Sequence, residues 1–328
     1  MKPYPACSPQ RYPSVVALAL AALASAGPAQ AAYPDKPIKL VVPYSAGGST
    51  DLLARQLAQS LAKQMQATVV IENKPGASTN VGTESVVRAA PDGYTLLIGS
   101  SALALNPAFG PAPSFDALKS LSAISLIGQI PYVIASGPAV SFDSPKALIQ
   151  AARTAPGRYS IGTAGLDAIV TGLNQASNMD LRHVPYRGGA QATTDALAGH
   201  VDLVLTVVPV LLPHIKTDKL KAIGVTSARR DPSLPDVPTF RESGESHFTS
   251  VAWFGLMAPA GTPPEIVQRL AAETRAALAQ PELRKRLEET GIEVQSSTPA
   301  QLDKRLRDDM ADAARQAEQA HKNGVSTK

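Results

Sequence analysis

The chain has a single cysteine, Cys7, in 328 residues, and it falls in a segment expected to be removed. Without a thiol the mature chain can form no disulfide, no Cys-ligated metal site and no cysteine nucleophile, although an oxidising compartment would permit disulfides. Stability must come from the core. Aromatic residues make up only 5% of the chain and do not interleave with the scattered basic residues, so no stacking platform for nucleic-acid bases is visible. The five histidines, His183, His200, His214, His247 and His321, show no H-E-x-x-H or comparable spacing, and neither a metal nor a cofactor is expected. Long apolar runs are also missing: nothing approaches the ~20 residues that span a bilayer.

The longest apolar stretch, Val15 to Ala24, follows Lys2 and Arg11 and precedes Ala29-Gln30-Ala31. A basic start, a short apolar run and an A-x-A site make a secretory signal, so residues 1–31 are expected to be cleaved and the protein exported to the periplasm. The alternative is an uncleaved N-terminal anchor. A lipoprotein would instead carry its cysteine directly after the apolar stretch. Cleavage of 31 residues from 328 leaves 297, room for two ordinary domains, and takes the net charge from +4 to +2 by removing Lys2 and Arg11. So small an excess gives no electrostatic reason for a nucleic-acid partner.

Enzyme signatures are missing as well. There is no G-x-S-x-G elbow, and Ser60-Leu61-Ala62-Lys63 matches S-x-x-K only inside a helix whose periodicity makes Leu61 core, with no S-D-N or K-T-G elsewhere. Glu288-Glu289 sits on a helix of mixed charge. The chain reads as a binding protein without catalysis; the rival reading is a hydrolase working in a cleft.

What is present is a rhythm of short apolar runs and helical patterns, the mark of parallel sheet covered by helices. Strands are predicted at 38–42, 69–72, 94–99, 159–162, 183–184, 203–208 and 220–226. The first helix is marked by Ser49 or Thr50 as cap, Asp51 at its positive end, and Leu53, Leu57, Leu61 and Met65 at spacing four. Two longer β-like stretches, 124–136 and 249–258, are long enough to begin in one sheet and end in another. They predict an α/β protein of two βα domains with two crossing strands, one domain from 32–130 plus 253–328 and the other from 131–252. The C-terminal part is predicted helical, with breaks before Pro264, Pro281 and Pro299. A cleft between such domains is a natural ligand site.

Within the run YPDKPIKLVVPYSAGGSTDLLAR, the Gly47-Gly48 turn joins a strand to a capped helix. Backbone N–H groups and the helix dipole there favour an anion, while a tight βα connection without a ligand is the alternative. The lysine-serine/threonine ending of a nucleotide loop is missing.

That run, with VVIENKPGASTNVG at 69–82, AAPDGYTLLIGSS at 89–101, HVPYRGGAQATTDALAGHVDLV at 183–204, LPHIKTDKLKAIGVTSARR at 212–230, LPDVPTF at 234–240 and WFGLMAPAGTPP at 253–264, resembles the Bug family. These are periplasmic receptors related to the solute-binding subunits of tripartite tricarboxylate transporters, and the likeness covers the mature chain in order. The resemblance implies a type II periplasmic binding-protein fold, working as a monomer, that closes on a small carboxylated solute. Permease subunits or a sensor kinase would be its partners. It also implies that one carboxylate is held, largely through main-chain groups and bridging waters, by Tyr44, Ser45, Ala46, Gly47, Gly48, Ser49, Thr50 and Asp51 together with Ser100, Ser101 and Ala102.

The other side of the cleft departs from the family pattern. Where relatives have a Gly-Ser/Thr-Ala-Gly-Asn-Gly-Thr-like loop, this chain reads Gly162-Thr163-Ala164-Gly165-Leu166-Asp167-Ala168. Thr163, Ala164, Gly165 and Asp167 are the candidate contacts. Asp167 has two readings: a first-turn acid that touches no ligand, or a cleft-facing charge that repels a second carboxylate and favours an ammonium or other donor. At Thr206-Val207-Val208, where relatives often place a polar pair, one hydroxyl and an apolar wall remain, suited to a ligand with some apolar surface. Packing under the sheet is the alternative there. Arg187 could approach an anion or sit solvated at the surface, and His183 reads as a core or edge histidine.

Overall fold

β1 (Ile38–Val42) is buried at every position but Lys39, as befits a parallel strand covered on both faces. In the computed structural model, which describes residues 33–109, 112–164, 166–186, 188–244 and 248–322, the chain continues with α1 (Ser49–Met65), β2 (Val69–Asn73), α2 (Asn80–Val87), β3 (Thr95–Ser100), α3 (Ala102–Phe109) and α4 (Ala117–Ser120). Next come β4 (Leu121–Ser136), α5 (Pro145–Thr154), β5 (Ser160–Thr163), α6 (Asp167–Ala176), β6 (Arg182–Pro185), α7 (Gly189–Leu197), β7 (Leu203–Val207), α8 (Val208–Ile215) and β8 (Lys221–Val225). The end of the chain supplies β9 (Val251–Pro259), α9 (Pro264–Ala279), α10 (Pro281–Glu289), β10 (Glu293–Val294) and α11 (Pro299–Lys322). Each expected strand is present with its ends shifted by a few residues. The two-residue β10 is additional, too short to leave a periodic signal.

The strands run in the order β2-β1-β3-β9-β4-β7-β5-β6, with β10 and β8 also on β4. β4 changes partners along its length: Leu121 to Pro131 pair antiparallel with β9, whereas Tyr132 to Ser136 pair with β7. One strand therefore belongs to two sheets. The return crossing is made just before β9, where Ser250 N donates to Thr226 O at 2.8 Å beside the end of β8. Packing follows the same division. One apolar cluster gathers Val41, Leu97, Leu121, Trp253, Met257 and Leu302, and another gathers Val133, Val204, Leu211 and Val225. Leu53, Leu57, Leu61 and Met65 of α1 are all buried, so the spacing-four stripe is core.

The start of α1 differs from expectation. Its N-cap is Gly48, not Ser49 or Thr50, and no side chain caps it. The reason is Asp51, whose Oδ2 accepts from Gly47 N at 2.9 Å and so holds the entering loop from inside the helix.

α2 is pressed against the strand end below that loop. A Cβ on Gly82 would stand 2.6 Å from Lys74 O and 2.8 Å from Pro43 Cβ. A helical Gly→Ala change ordinarily stabilises by ~1 kcal/mol, but here overpacking costs about 1–3 kcal/mol. Gly82→Ala is therefore expected to lower the thermal midpoint, and differential scanning calorimetry reads the sign directly.

Candidate ligand site between the two sheets

A cavity of about 640 Å³ lies where the two halves of the sheet face each other, a size suited to a small ligand. From the first half it is lined by Tyr44, Ser45, Gly47, Gly48, Ser49 and Thr50, then by Ser100, Ser101 and Ala102. From the second half come Ala164, Asp167 and Thr206. Residues that sequence reasoning did not single out complete the wall, chiefly Ser78, Thr79, Asn106, Tyr132, Gly189 and Phe254. Ser78 and Thr79 fall in the block at 69–82, Gly189 in that at 183–204, Phe254 in that at 253–264 and Tyr132 in the long stretch at 124–136, none of them given a role in binding; Asn106 falls in no such stretch.

Three expected contacts do not reach the wall. Ala46 is absent from the lining. Asp51 is 2% exposed and spends its carboxylate behind the loop, on Gly47 N, on Arg55 Nε at 2.9 Å and on Asn73 Nδ2 at 2.9 Å. Thr163 is fully buried and bonded to His183 Nε2 at 2.7 Å. Gly165 and Arg187, with residues 1–31 and His247, lie outside the described residues.

The loop after β1 is thus wired from the rear. Asn73 Nδ2 also donates to Tyr44 O at 3.2 Å, and Gly47 takes the positive φ of +84° that glycine adopts freely. Because Asp51 consumes the Gly47 N–H, that amide is not available to an anion. The first-turn N–H groups of Ser49 and Thr50 have no partner within the helix, and both residues line the cavity. Burial alone would raise the Asp51 pKa, but the bonds from Arg55, Gly47 and Asn73 outweigh it and hold the carboxyl below its usual range. The cradle is therefore a neutral donor array with an internally paired acid behind it.

Two phenols line the cavity, half-buried Tyr44 and buried Tyr132. Tyr44 Oη and Ser100 Oγ are 2.7 Å apart, and Tyr132 pairs with Ser101. Burial raises both phenol pKa values, so both stay neutral. Three threonines add hydroxyls: Thr50, Thr79 and Thr206 are 6%, 7% and 7% exposed, line the cavity, and make no side-chain hydrogen bond to any described residue. Thr206 occupies the space a side chain at position 189 would need, since a Cβ on Gly189 would stand 2.6 Å from its Oγ1.

The remaining wall is apolar, with Leu105, Ile169, Val207 and Phe254 among its members. Among the described residues of the lining, Asp167 is the one with a charged side chain. It opens α6 without capping it, and its Oδ1 lies 3.2 Å from His183 Nδ1. Asp167 is a first-turn acid of α6 that lines the cavity.

Asp167, His183 and Thr163 form a relay of the kind found in hydrolases. The hydroxyl at its end is fully buried and outside the cavity lining, so no substrate carbonyl can reach it. Burial lowers the His183 pKa, which Asp167 only partly offsets. The neutral ring donates from Nδ1 to Asp167 and accepts from Thr163 at Nε2, the tautomer that satisfies all three groups. The relay positions Asp167. Since the folded state resists a proton that the unfolded chain takes up near pH 6.5, this contribution to stability is complete above that pH and is lost on acidification toward the lower folded value. Urea midpoints measured from pH 7.5 to 5.5 should fall more steeply for the wild type than for His183→Gln.

A smaller cavity of about 110 Å³ borders Ser101, Ile169, Ser250 and Arg305. Its charges are spent internally: Asp309 accepts from Arg305 Nε at 2.9 Å and from Trp253 Nε1 at 2.7 Å. No described group of three or more His, Cys, Asp or Glu residues could hold a metal ion, and no described helix is long and apolar enough to cross a membrane.

Residues 53–320 match the family model described as tripartite tricarboxylate transporter family receptor. The protein BugT of Bordetella pertussis is 35% identical over 272 residues, which span 81% of this chain and 83% of BugT. Among solved structures, Rpa4515 of Rhodopseudomonas palustris with adipate superposes with a TM-score of 0.79 at 28% identity, covering 88% of this chain and 98% of that one. MatC of the same organism with bound malate gives 0.77 at 28% identity, covering 87% and 100%. The two-domain solute-binding fold expected from the resemblance is the fold these proteins share, and the family is one of periplasmic receptors. The chain belongs to the tripartite tricarboxylate transporter family of receptors, with Bug proteins among its relatives.

Proposed function

We propose that this protein is a periplasmic receptor that captures a small carboxylic acid in the cavity between its two sheets and offers the closed form to transporter permease subunits. The observation that carries the reading is the cavity itself. Hydroxyls, the first turn of α1 and apolar side chains line it together, and Asp167 brings an acid from the second half. Donors without a charge of their own suit one carboxylate, directly or through bridging waters. The change of partners in β4 between Pro131 and Tyr132 supports a division into lobes near residues 130 and 253. On that reading closure folds the second lobe over the ligand.

The finer reading concerns the distal end of the ligand. Adipate and malate, bound in two relatives, each carry two carboxylates. Here Asp167 would face the second one; its side chain is half exposed, and the repulsion reaches several kcal/mol once closure brings the like charges together out of water. A monocarboxylic acid whose far end is apolar, a hydroxyl or an ammonium fits better. Calorimetric titration with adipate, malate, citrate, glutamate, aspartate and nicotinate tests the function. Binding of at least one of them, with citrate weakest, is expected; failure of all six would refute the acid-receptor reading.

A further inference from the structure

We propose that Thr79 is a specificity-determining contact of the cavity, donating its hydroxyl to one oxygen of the bound carboxylate, with Ser78 beside it. The inference rests on reading the cavity as an acid site. It starts from a feature that reading does not use: Ala77, Ser78 and Thr79 follow one another at φ +43°, +50° and +82°. Non-glycine residues rarely adopt positive φ, and for a β-branched residue such as threonine it is an outlier. A backbone of this kind persists only where the surroundings over-determine it, and it concentrates at ligand sites.

The surroundings do over-determine it, and none of the bonds that do so uses the threonine side chain. Asn106 Nδ2 donates to Ser78 O at 2.6 Å and lies 3.2 Å from Asn80 Oδ1. Thr83 Oγ1 donates to Thr79 O at 3.0 Å, and Gly82 seats α2 against Pro43. Glycine at position 79 would satisfy every one of these contacts and would remove the strain. The side chain present instead is 7% exposed, lines the cavity, and makes no hydrogen bond to a described residue. Its hydroxyl is also not among the sealed, partnerless polar atoms. A costly residue whose polar group is unused by the fold and open to the cavity is a ligand contact. Thr50, in the first turn of α1, lines the same cavity, and its hydroxyl likewise makes no hydrogen bond to a described residue.

Thr79→Val keeps the shape and removes the hydroxyl, Thr79→Ser restores it, and Thr79→Gly relieves the backbone. The readouts are the thermal midpoint of the unliganded protein and the affinity for whichever of adipate, malate, citrate, glutamate, aspartate or nicotinate binds the wild type most tightly. A hydrogen bond to a charged oxygen corresponds to roughly a 10–100-fold change in affinity. Thr79→Val should weaken binding to that extent with little change in midpoint, and Thr79→Ser should retain most of it. Thr79→Gly should raise the midpoint while still weakening binding, a combination that loss of structure cannot give. Wild-type binding within about twofold in both the valine and glycine variants overturns the proposal and leaves the receptor reading standing. A wild type that binds none of the six acids overturns both.

Discussion

Asp51→Ala is expected to lower the unfolding free energy by about 2–4 kcal/mol and to abolish measurable ligand binding. The estimate comes from what the substitution removes. Gly47 N–H and Asn73 Nδ2 both donate to this buried carboxylate, and a hydrogen bond to a charged group contributes about 1.5–3 kcal/mol, less at exposed Gly47, where water can replace the acceptor. Arg55 adds less, because its side chain is half exposed and water can replace the lost partner. Binding suffers because the same atoms fix the loop: once Gly47 and Tyr44 are released, the N–H groups of Ser49 and Thr50 no longer hold one geometry. Acid should act in the same direction. The folded-state pKa of Asp51 lies below its ordinary 3.8, so its stabilisation is present at neutral pH and is lost only as the pH falls below about 4. Chemical denaturation of the two proteins at pH 7 and pH 3 checks both statements, with the difference between them shrinking at the lower pH.

Asp167→Asn is expected to change which acids bind rather than whether acids bind. The wild-type carboxylate stands on the cavity wall, oriented by His183. Its removal turns a repelling charge into an amide that can donate. Malate and citrate should gain about 10–100-fold in affinity, a shift of a few kcal/mol and no more than the cost of a like-charge contact. A ligand with an ammonium at its far end should lose by a comparable factor. The opposite signs matter, since general damage to the site weakens every ligand. Tight citrate binding by the wild type, unchanged in Asp167→Asn, would mean that the acid plays no part in selection.

Much of the fold was legible because its signals are local and periodic. Spacing-four leucines marked α1, apolar runs bounded by turns marked the strands, and the prolines at 264, 281 and 299 marked helix starts that the structure places at those residues. The length of the stretch ending at Ser136 announced a strand serving two sheets, as β4 does. The site was legible only in part. The sequence places Tyr44–Thr50 and Ser100–Ser101 at strand ends, where ligands of α/β proteins gather. It could not show that Asp51 and Thr163 face away from the cavity, because side-chain direction in a first turn or at a strand end depends on partners far along the chain, Asn73 for one and His183 for the other. Thr79 was hidden for a different reason: nothing in Ala77-Ser78-Thr79 announces a left-handed backbone, which residues such as Asn106 impose from outside. Tyr132 reads as a core aromatic of a long strand until the two sheets are placed around it.

The central claim is that the cavity holds an intact small carboxylic acid. Native mass spectrometry of the purified protein, followed by mild denaturation and identification of the released molecule, tests it most directly. One small acid per chain, recovered chemically unchanged and displaced by a competing acid, is the result predicted. A bound molecule lacking a carboxyl group, an added acid returned in altered form, or a protein that forms no complex with any acid supplied would contradict it.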